Sequence, residues 1–282
     1  MAISQVAQLN SLFSDIFEDA VFIAREQNLM TNLVRNFSAR GWMDRKLSFY
    51  PEIVAETVAE GEDFSNPTTF DKSGVVTLTP AEVMAQVVLT DRMIETDPQD
   101  ARRDASTELG NAIATKIDKD ILGEFTNITD SIGTINTPLT INIMAAGVSQ
   151  LRNSLAPNPI YVVLHPYQWH DIWDELGTPG TDLAFLGDAA NEALRSFFVS
   201  TLLNVKWFIS ANIAVDGSDD AIGAIFNPTA IGFDSRKAPL MEPERDASLR
   251  AWELNISAGY AEGVIRTAFA RKITSDATAP TA

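Results

Sequence analysis

The sequence predicts a mixed α+β fold that a single copy leaves incomplete, and three observations carry that prediction. A long β-hairpin is written between Leu47 and Thr79: residues 47–58 ascend, 61–67 form a polar tip, and 70–79 return, with Val75 to Thr79 alternating as a strand does. From Leu47 to Asp71 there are six carboxylates and no Lys or Arg, so the hairpin has few apolar residues to fold back on and needs support from outside itself. Next comes one uninterrupted helical pattern too long for a small compact domain. After Ile128 the chain then alternates short apolar runs with helical segments, an α/β pattern.

Taken in order, residues 1–30 repeat apolar side chains at helical spacing through Val6, Leu9, Phe13, Phe17, Ala20 and Ala24. Asp15, Glu18, Asp19, Arg25 and Glu26 break any apolar run of signal or membrane-spanning length. Such a helix either packs on its own core or lies as an arm on a neighbouring subunit. The basic segment 35–46, which separates it from the hairpin, favours the arm.

The long helix is expected over 98–122, about 35–40 Å at the rise of an α-helix. Asp97 can cap its exposed amides, Pro98 is preset for the first turn, and Asp100 sits near the positive end of the dipole. Leu109, Ile113, Ile117 and Ile121, joined by Ala101, Ala105 and Ala112, make one apolar stripe. Gly123 reads as the terminator, and Gly110 as a weak point or a place of close backbone approach.

Beyond it, 128–138 reads as a turn-rich crossing and 141–155 as a helix ended by Pro157 and Pro159. Residues 160–164 suit a buried strand, and Pro166 opens a helix that ends at Gly177. A loop at 178–180, a helix over 189–203 and strands at 205–209, 221–226 and 229–233 follow, the last two joined through Asn227-Pro228. Two alternating segments, 248–260 and 263–273, should pair around 261–263, and 275–282 should be a loose tail. Strands from both ends interleave with the middle, so the domains are not contiguous in sequence.

Several of these pieces carry a family likeness: Val75-Val-Thr-Leu-Thr-Pro, Val87-Val-Leu-Thr-Asp-Arg-Met-Ile-Glu-Thr-Asp-Pro with the Ala-rich helix after it, Ile160-Tyr-Val-Val-Leu-His-Pro-Tyr-Gln-Trp, Leu203-Asn-Val-Lys-Trp-Phe-Ile-Ser and Gly223-Ala-Ile-Phe-Asn-Pro-Thr-Ala-Ile-Gly. In that shared order the chain resembles the tailed-bacteriophage major capsid proteins of the Hong Kong 97 type. The resemblance covers most of the chain after about Leu47. It implies an N-terminal arm (1–46), an extended hairpin loop (47–79), a peripheral domain (80–137 with 234–282) containing a spine helix at 98–122, and an axial α/β domain (138–233).

The function it implies is that of a structural subunit. Copies would assemble with one another into hexamers and pentamers of an icosahedral head around double-stranded DNA, residing in the virion after assembly in the host cytoplasm. Portal and possible decoration proteins are the implied partners. The hairpin begins too early to leave room for a long scaffolding extension, so a separate scaffolding protein is expected. An encapsulin-type compartment shell is the alternative within this fold; a metal-dependent acidic α/β enzyme is the alternative of another class.

Composition agrees with this. Hydrophobic residues make up 45% of 282, enough for a sizeable core. The absence of cysteine removes disulfides and thiolate metal sites. A net charge of −17 opposes tight sequence-independent DNA binding, which needs a basic face. A packaged genome would therefore be enclosed without sequence-specific binding, and no membrane or cofactor partner is indicated.

The sequence nominates no catalytic, cofactor or metal residues. His165 and His170 stand five apart, where the metalloprotease pattern needs four with a Glu between, and His165 before Pro166 reads as the start of a helix. The run 216–220 lacks the ligand alternation of a calcium loop and reads as a solvated turn. Trp169 and Trp173 read as a core stripe, with a subunit contact as the alternative.

The candidate functional residues are inter-subunit ones. Acidic Glu56, Glu60, Glu62 and Asp63, with Phe64, are expected to reach a basic partner on another copy. Arg102, Arg103, Arg245 and Arg250 are the candidate receivers, although local pairing with Asp100 and Asp104 is the simpler reading for the first two. Some relatives join hairpin lysines to asparagines on a neighbour; Lys72, on the return side away from the tip, reads better as an ordinary solvent-facing lysine.

Overall fold

The computed structural model describes residues 29–50, 53–64, 67, 69–96, 100–177, 201–203 and 205–280. Three sheets organise them. The first runs β1 (Arg35–Ser38), β10 (Ile231–Asp246), β11 (Ala251–Val264), β4 (Ala81–Thr90) from edge to edge. The second runs β5 (Ser131–Ile132), β12 (Ala270–Asp276), β9 (Asp220–Phe226), β6 (Tyr161–Leu164), β8 (Val205–Ile209), β7 (Thr201–Leu202). The third is the two-stranded pair β2 (Arg45–Phe49) and β3 (Ser73–Leu78). Four helices accompany them: α1 (Asp91–Thr96), α2 (Asp100–Gly123), α3 (Ile141–Asn153) and α4 (Pro166–Gly177).

The long helix α2 forms where its stripe requires. Leu109, Ile113, Ile117 and Ile121 are buried against the four-stranded sheet, each contributing about 1.5–3 kcal/mol by leaving water. Ala105 and Gly110 are buried too, but Ala112 faces solvent. Asp97 and Pro98, the expected start signals, lie outside the described residues. The α-helix ends at Gly123 as expected, but without a left-handed cap: Gly123 keeps helical angles, and the chain tightens into a 3-10 turn, Glu124–Asn127, that buries Phe125 before Ile128 turns extended.

The six-stranded sheet is covered on both faces, which is why β6 reads as a continuous apolar run. Val162, Leu164, Ile225 and Ile273 pack with α3 and α4; Val163, Ala224 and Phe226 belong to the core shared with α2 and Phe125. Helix α4 begins with a reciprocal cap. His165 Nδ1 accepts the Tyr167 amide at 3.3 Å, while Gln168 Oε1 accepts the His165 amide at 3.1 Å. Burial lowers the His165 pKa, consistent with a neutral acceptor ring. The 216–220 segment is the expected turn, with Asp216 Oδ1 accepting the Ser218 and Asp220 amides.

Four further expectations are corrected. Residues 261–263 do not turn: they lie within β11, whose true hairpin with β10 closes at 247–250, where Asp246 Oδ1 accepts the Ser248 and Leu249 amides. β11 and β12 therefore sit in different sheets and do not pair. Residues 275–277 are not loose, since Ser275 and Ala277 are buried and the Asp276 amide donates to Thr137 O.

The helix expected over 189–203 lies outside the described residues up to Ser200; Thr201–Leu202 is strand β7, and Leu203 turns with φ 58°. Finally, residues 29–38 belong to the body rather than to an arm. Met30 is fully buried and β1 pairs in parallel with β10.

Candidate assembly site: the projecting loop and its mount

The root of the hairpin is a built structure. Along β11, Tyr260 and Glu262 face α2, so Gly259, Ala261 and Gly263 face the opposite side. That side is a shallow trough of small residues. A Cβ at Gly259 would lie 2.7 Å from the Trp42 ring, and one at Gly263 would lie 2.6 Å from Leu78 Cδ2. Trp42, just before β2, and Leu78, the last residue of β3, fill it.

Beside the trough, fully buried Asp234 accepts Arg45 Nε at 2.8 Å and Arg236 Nη2 at 2.7 Å. Arg45 and Arg35 also stack within 5.0 Å of the Phe37 ring. Two guanidinium groups on one carboxylate compensate its burial. The mount was not found from sequence, although the Gly-x-Ala-x-Gly spacing at 259–263 was a visible signal of close approach on one strand face.

Above the root, regular structure stops. The β2–β3 ladder runs from Arg45–Leu78 to Phe49–Ser73 with a bulge at its end, so the ascending and returning strands expected over 47–58 and 70–79 pair only at their base. Tyr50 and Phe70 close the ladder, stacked at 4.4 Å and nearly parallel, with Lys72 above Tyr50 at 6.0 Å. Beyond them the chain carries its apolar side chains in the open: Ile53 is 62% exposed, Val54 64% and Phe64 42%. Glu56, Glu60, Glu62 and Asp63 are exposed as well, and among the described residues none pairs with a cation. At the tip the Glu62 amide donates to Ala59 O, beside Gly61 at φ 86°.

Of the expected receivers, Arg245 and Arg250 both stand beside Asp91. Arg245 is engaged within its own chain, donating to both Asp91 oxygens at 2.9 and 2.7 Å and lying over Trp252 at 5.4 Å. Arg250 is exposed in the β10–β11 turn, and its carbonyl accepts the Asp91 amide. Arg102 and Arg103 lie in the first turns of α2, but their side chains are outside the described residues. Trp169 is core, packed on Trp207 at 5.6 Å; Trp173 is half-buried near the His170 ring.

A second electrostatic feature lies on the α2 side of the same sheet. Tyr260 donates to Asp120 Oδ2 at 2.7 Å, and Asp120 also pairs with Lys116. Burial, followed by the nearby Asp120 and Glu124 charges, pushes the Glu262 carboxyl up to about 7. Among the described residues no three His, Asp or Glu side chains are grouped to hold a metal ion, and no helix is long and apolar enough to cross a membrane.

Mixed sheets, a spine-like helix and a projecting loop on a rigid root define a Hong Kong 97-type capsid subunit. The chain belongs to the phage capsid protein family, whose model matches residues 85–273. No curated protein matches the sequence. Among solved structures it is similar to a chain from Mycobacterium phage Che8, at TM-score 0.69 and 19% identity over 87% of this chain and 90% of that one. A capsid chain of Helicobacter pylori bacteriophage KHP30 gives TM-score 0.69 at 12% identity, covering 87% and 88%. A virus-like particle chain from Pyrococcus furiosus gives 0.61 at 8%, covering 92% and 98%. The protein is a structural major capsid protein, a component of the virion shell that self-assembles from many copies.

Proposed function

We propose that this subunit tiles an icosahedral head as hexamers and pentamers enclosing double-stranded DNA, with the loop of each copy laid on its neighbour. The observation that carries the reading is the loop itself: Ile53, Val54 and Phe64 exposed above a rigidly held root. Such side chains find burial in contacts that only another copy supplies. The four-stranded sheet with α2 forms the peripheral domain, and the six-stranded sheet with α3 and α4 forms the axial one. This division follows the sheets, so β5 and β12 go with the axial part and the start of β10 with the peripheral part. Residues before Leu29 are the arm.

Assembly takes place in the host cytoplasm on a separate scaffolding protein, with a portal at one vertex and decoration proteins as possible additions. Closed symmetry limits growth, while loops without their own ladder let one sequence occupy slightly different positions. The role is mechanical throughout, with no catalytic step.

Electron microscopy of native particles, with nucleic acid quantified after nuclease treatment, tests this. Closed shells holding nuclease-protected DNA are expected. Shells holding protein cargo and no DNA would favour the compartment reading, and a soluble small oligomer under all conditions would remove both.

A further inference from the structure

The side of the four-stranded sheet that faces away from α2 is covered along only part of its length. On β11 the loop mount reaches from Gly263, under Leu78, to Gly259, under Trp42. Ser257, Asn255 and Glu253 continue the same side. Ser257 has Met84 and Leu240 as its cross-strand neighbours on β4 and β10, and Glu253 has Val88 and Glu244. Met84, Val88 and Leu240 are exposed, whereas Val83, Val87 and Met241, which alternate with them, belong to the core under α2. The subunit offers those three apolar side chains no cover of its own.

Charge decides what can cover them. Glu242 and Glu244 are exposed on this side, and Lys237, beside Gly259, is engaged by Glu82 and Ser257. The projecting loop of a sister copy is opposed here by like charge, through Glu56, Glu60, Glu62 and Asp63. The corner formed by residues 40–46 is the opposite case. Its Met43 is 83% exposed and half of the Trp42 surface is open. Arg40 and Lys46 are exposed and, among the described residues, have no ion pair. Arg45 is committed to Asp234, and Asp44 is the single carboxylate of the corner.

Corner and bare face lie side by side on one surface. Two copies related by a two-fold axis can each set the corner on the other's bare face, so that one contact is made twice. We propose that the bare part of this sheet is an interface between copies of this chain, occupied by the 40–46 corner of a sister copy. Met43 and the open side of Trp42 cover Met84, Leu240 and Val88, and Arg40 and Lys46 meet Glu242 and Glu244. This contact rests on the shell reading, which supplies the copies. Strand spacing gives the bare face, three strands wide over residues 251–257 of β11, an area of roughly 300 Å2, well below the about 800 Å2 per partner of a free-standing complex. It therefore forms only where other contacts already bring copies together.

Charge exchange tests it. Arg40→Glu with Lys46→Glu, and separately Glu242→Lys with Glu244→Lys, should each cut particle yield about tenfold or more. Thermal unfolding of the subunit should stay that of the parent, since all four side chains are exposed. Combining the four substitutions should restore the yield to within about threefold of the parent, because the charges are then exchanged and still opposite. Normal particles from either pair, or no recovery in the combination, overturn the proposal and leave the shell reading standing. A parent chain that never forms particles removes both.

The absence of cysteine allows a second measurement. Particles co-assembled from Met43→Cys and Met84→Cys subunits and then oxidised are expected to give disulfide-linked dimers that particles of either variant alone do not. No such dimers would overturn the proposal. Dimers formed instead between Ile53→Cys and Met84→Cys subunits would assign the face to a sister copy's projecting loop, and overturn it as well.

Discussion

The two ends of the hairpin, its root and its outer loop, are adjacent in sequence and opposite in physics. At the root, β2 and β3 share a ladder, Leu78 and Trp42 fill the trough over Gly259 and Gly263, and Asp234 holds two arginines. Past the Tyr50–Phe70 stack, the described residues have no ladder and no ion pair, and their apolar side chains face outward. Amino-acid type does not make the difference, since both regions contain β-branched and aromatic residues. What differs is whether another part of the same chain covers them. The root is held by contacts within the subunit, and the described residues of the outer loop are not.

Substitutions separate the two, beginning with the largest effect on the isolated subunit. Asp234→Ala leaves Arg45 and nearly buried Arg236 without their shared carboxylate and should cost about 3–5 kcal/mol, read as a lower urea midpoint. An unchanged midpoint would mean that the mount does not stabilise the body. Gly263→Val places methyl groups where Leu78 Cδ2 now lies and should cost about 1–3 kcal/mol, with loss of protection in β2 and β3 by hydrogen exchange.

Glu262→Gln tests the α2 side of the same sheet through pH. The native pKa of Glu262 is raised to about 7 from its usual 4.5, so the folded state binds the extra proton between those values. Stability from this group is therefore fully present below about pH 4.5 and is lost as pH rises through 7, by about 1–2 kcal/mol once screening of a partly exposed group is allowed for. The Gln variant should flatten that slope between pH 5 and 8 in thermal unfolding; an unaltered slope would assign it to other groups. The smallest effect on the subunit is expected from Glu60→Lys, Glu62→Lys and Asp63→Lys together, within about 0.5 kcal/mol of the parent because all three are exposed. Yet particle formation, followed by sedimentation, should be impaired. Normal particles from this triple variant would show that the acidic tip is not a contact.

Sequence reasoning located the loop and its acidity, and it placed α4 at 166–177 and β8 at 205–209 as they stand. It extended the hairpin ladder too far because alternation marks an extended chain, whether or not a partner strand is opposite. It also placed a turn at 261–263, where small residues serve close packing inside a strand. Glycine permits both, and only the neighbour at 2.6 Å distinguishes them. Arg245 was legible as a basic candidate receiver, but its pairing with Asp91, 154 residues earlier, was not.

By itself the sequence determined the local elements: the fourfold-spaced stripe of α2, the doubly covered run of β6 and the Pro166 start of α4, each fixed by residues within a turn or two of one another. Tertiary structure alone decided which strands share a sheet, that 275–277 are packed, and that the loop stands on a trough closed by Asp234 and Arg45, 189 residues apart. Periodicity is a property of near neighbours along the chain. Pairing and cover depend on groups brought together only by folding, so the exposed outer loop was recognisable as unfinished while the mount beneath it was not.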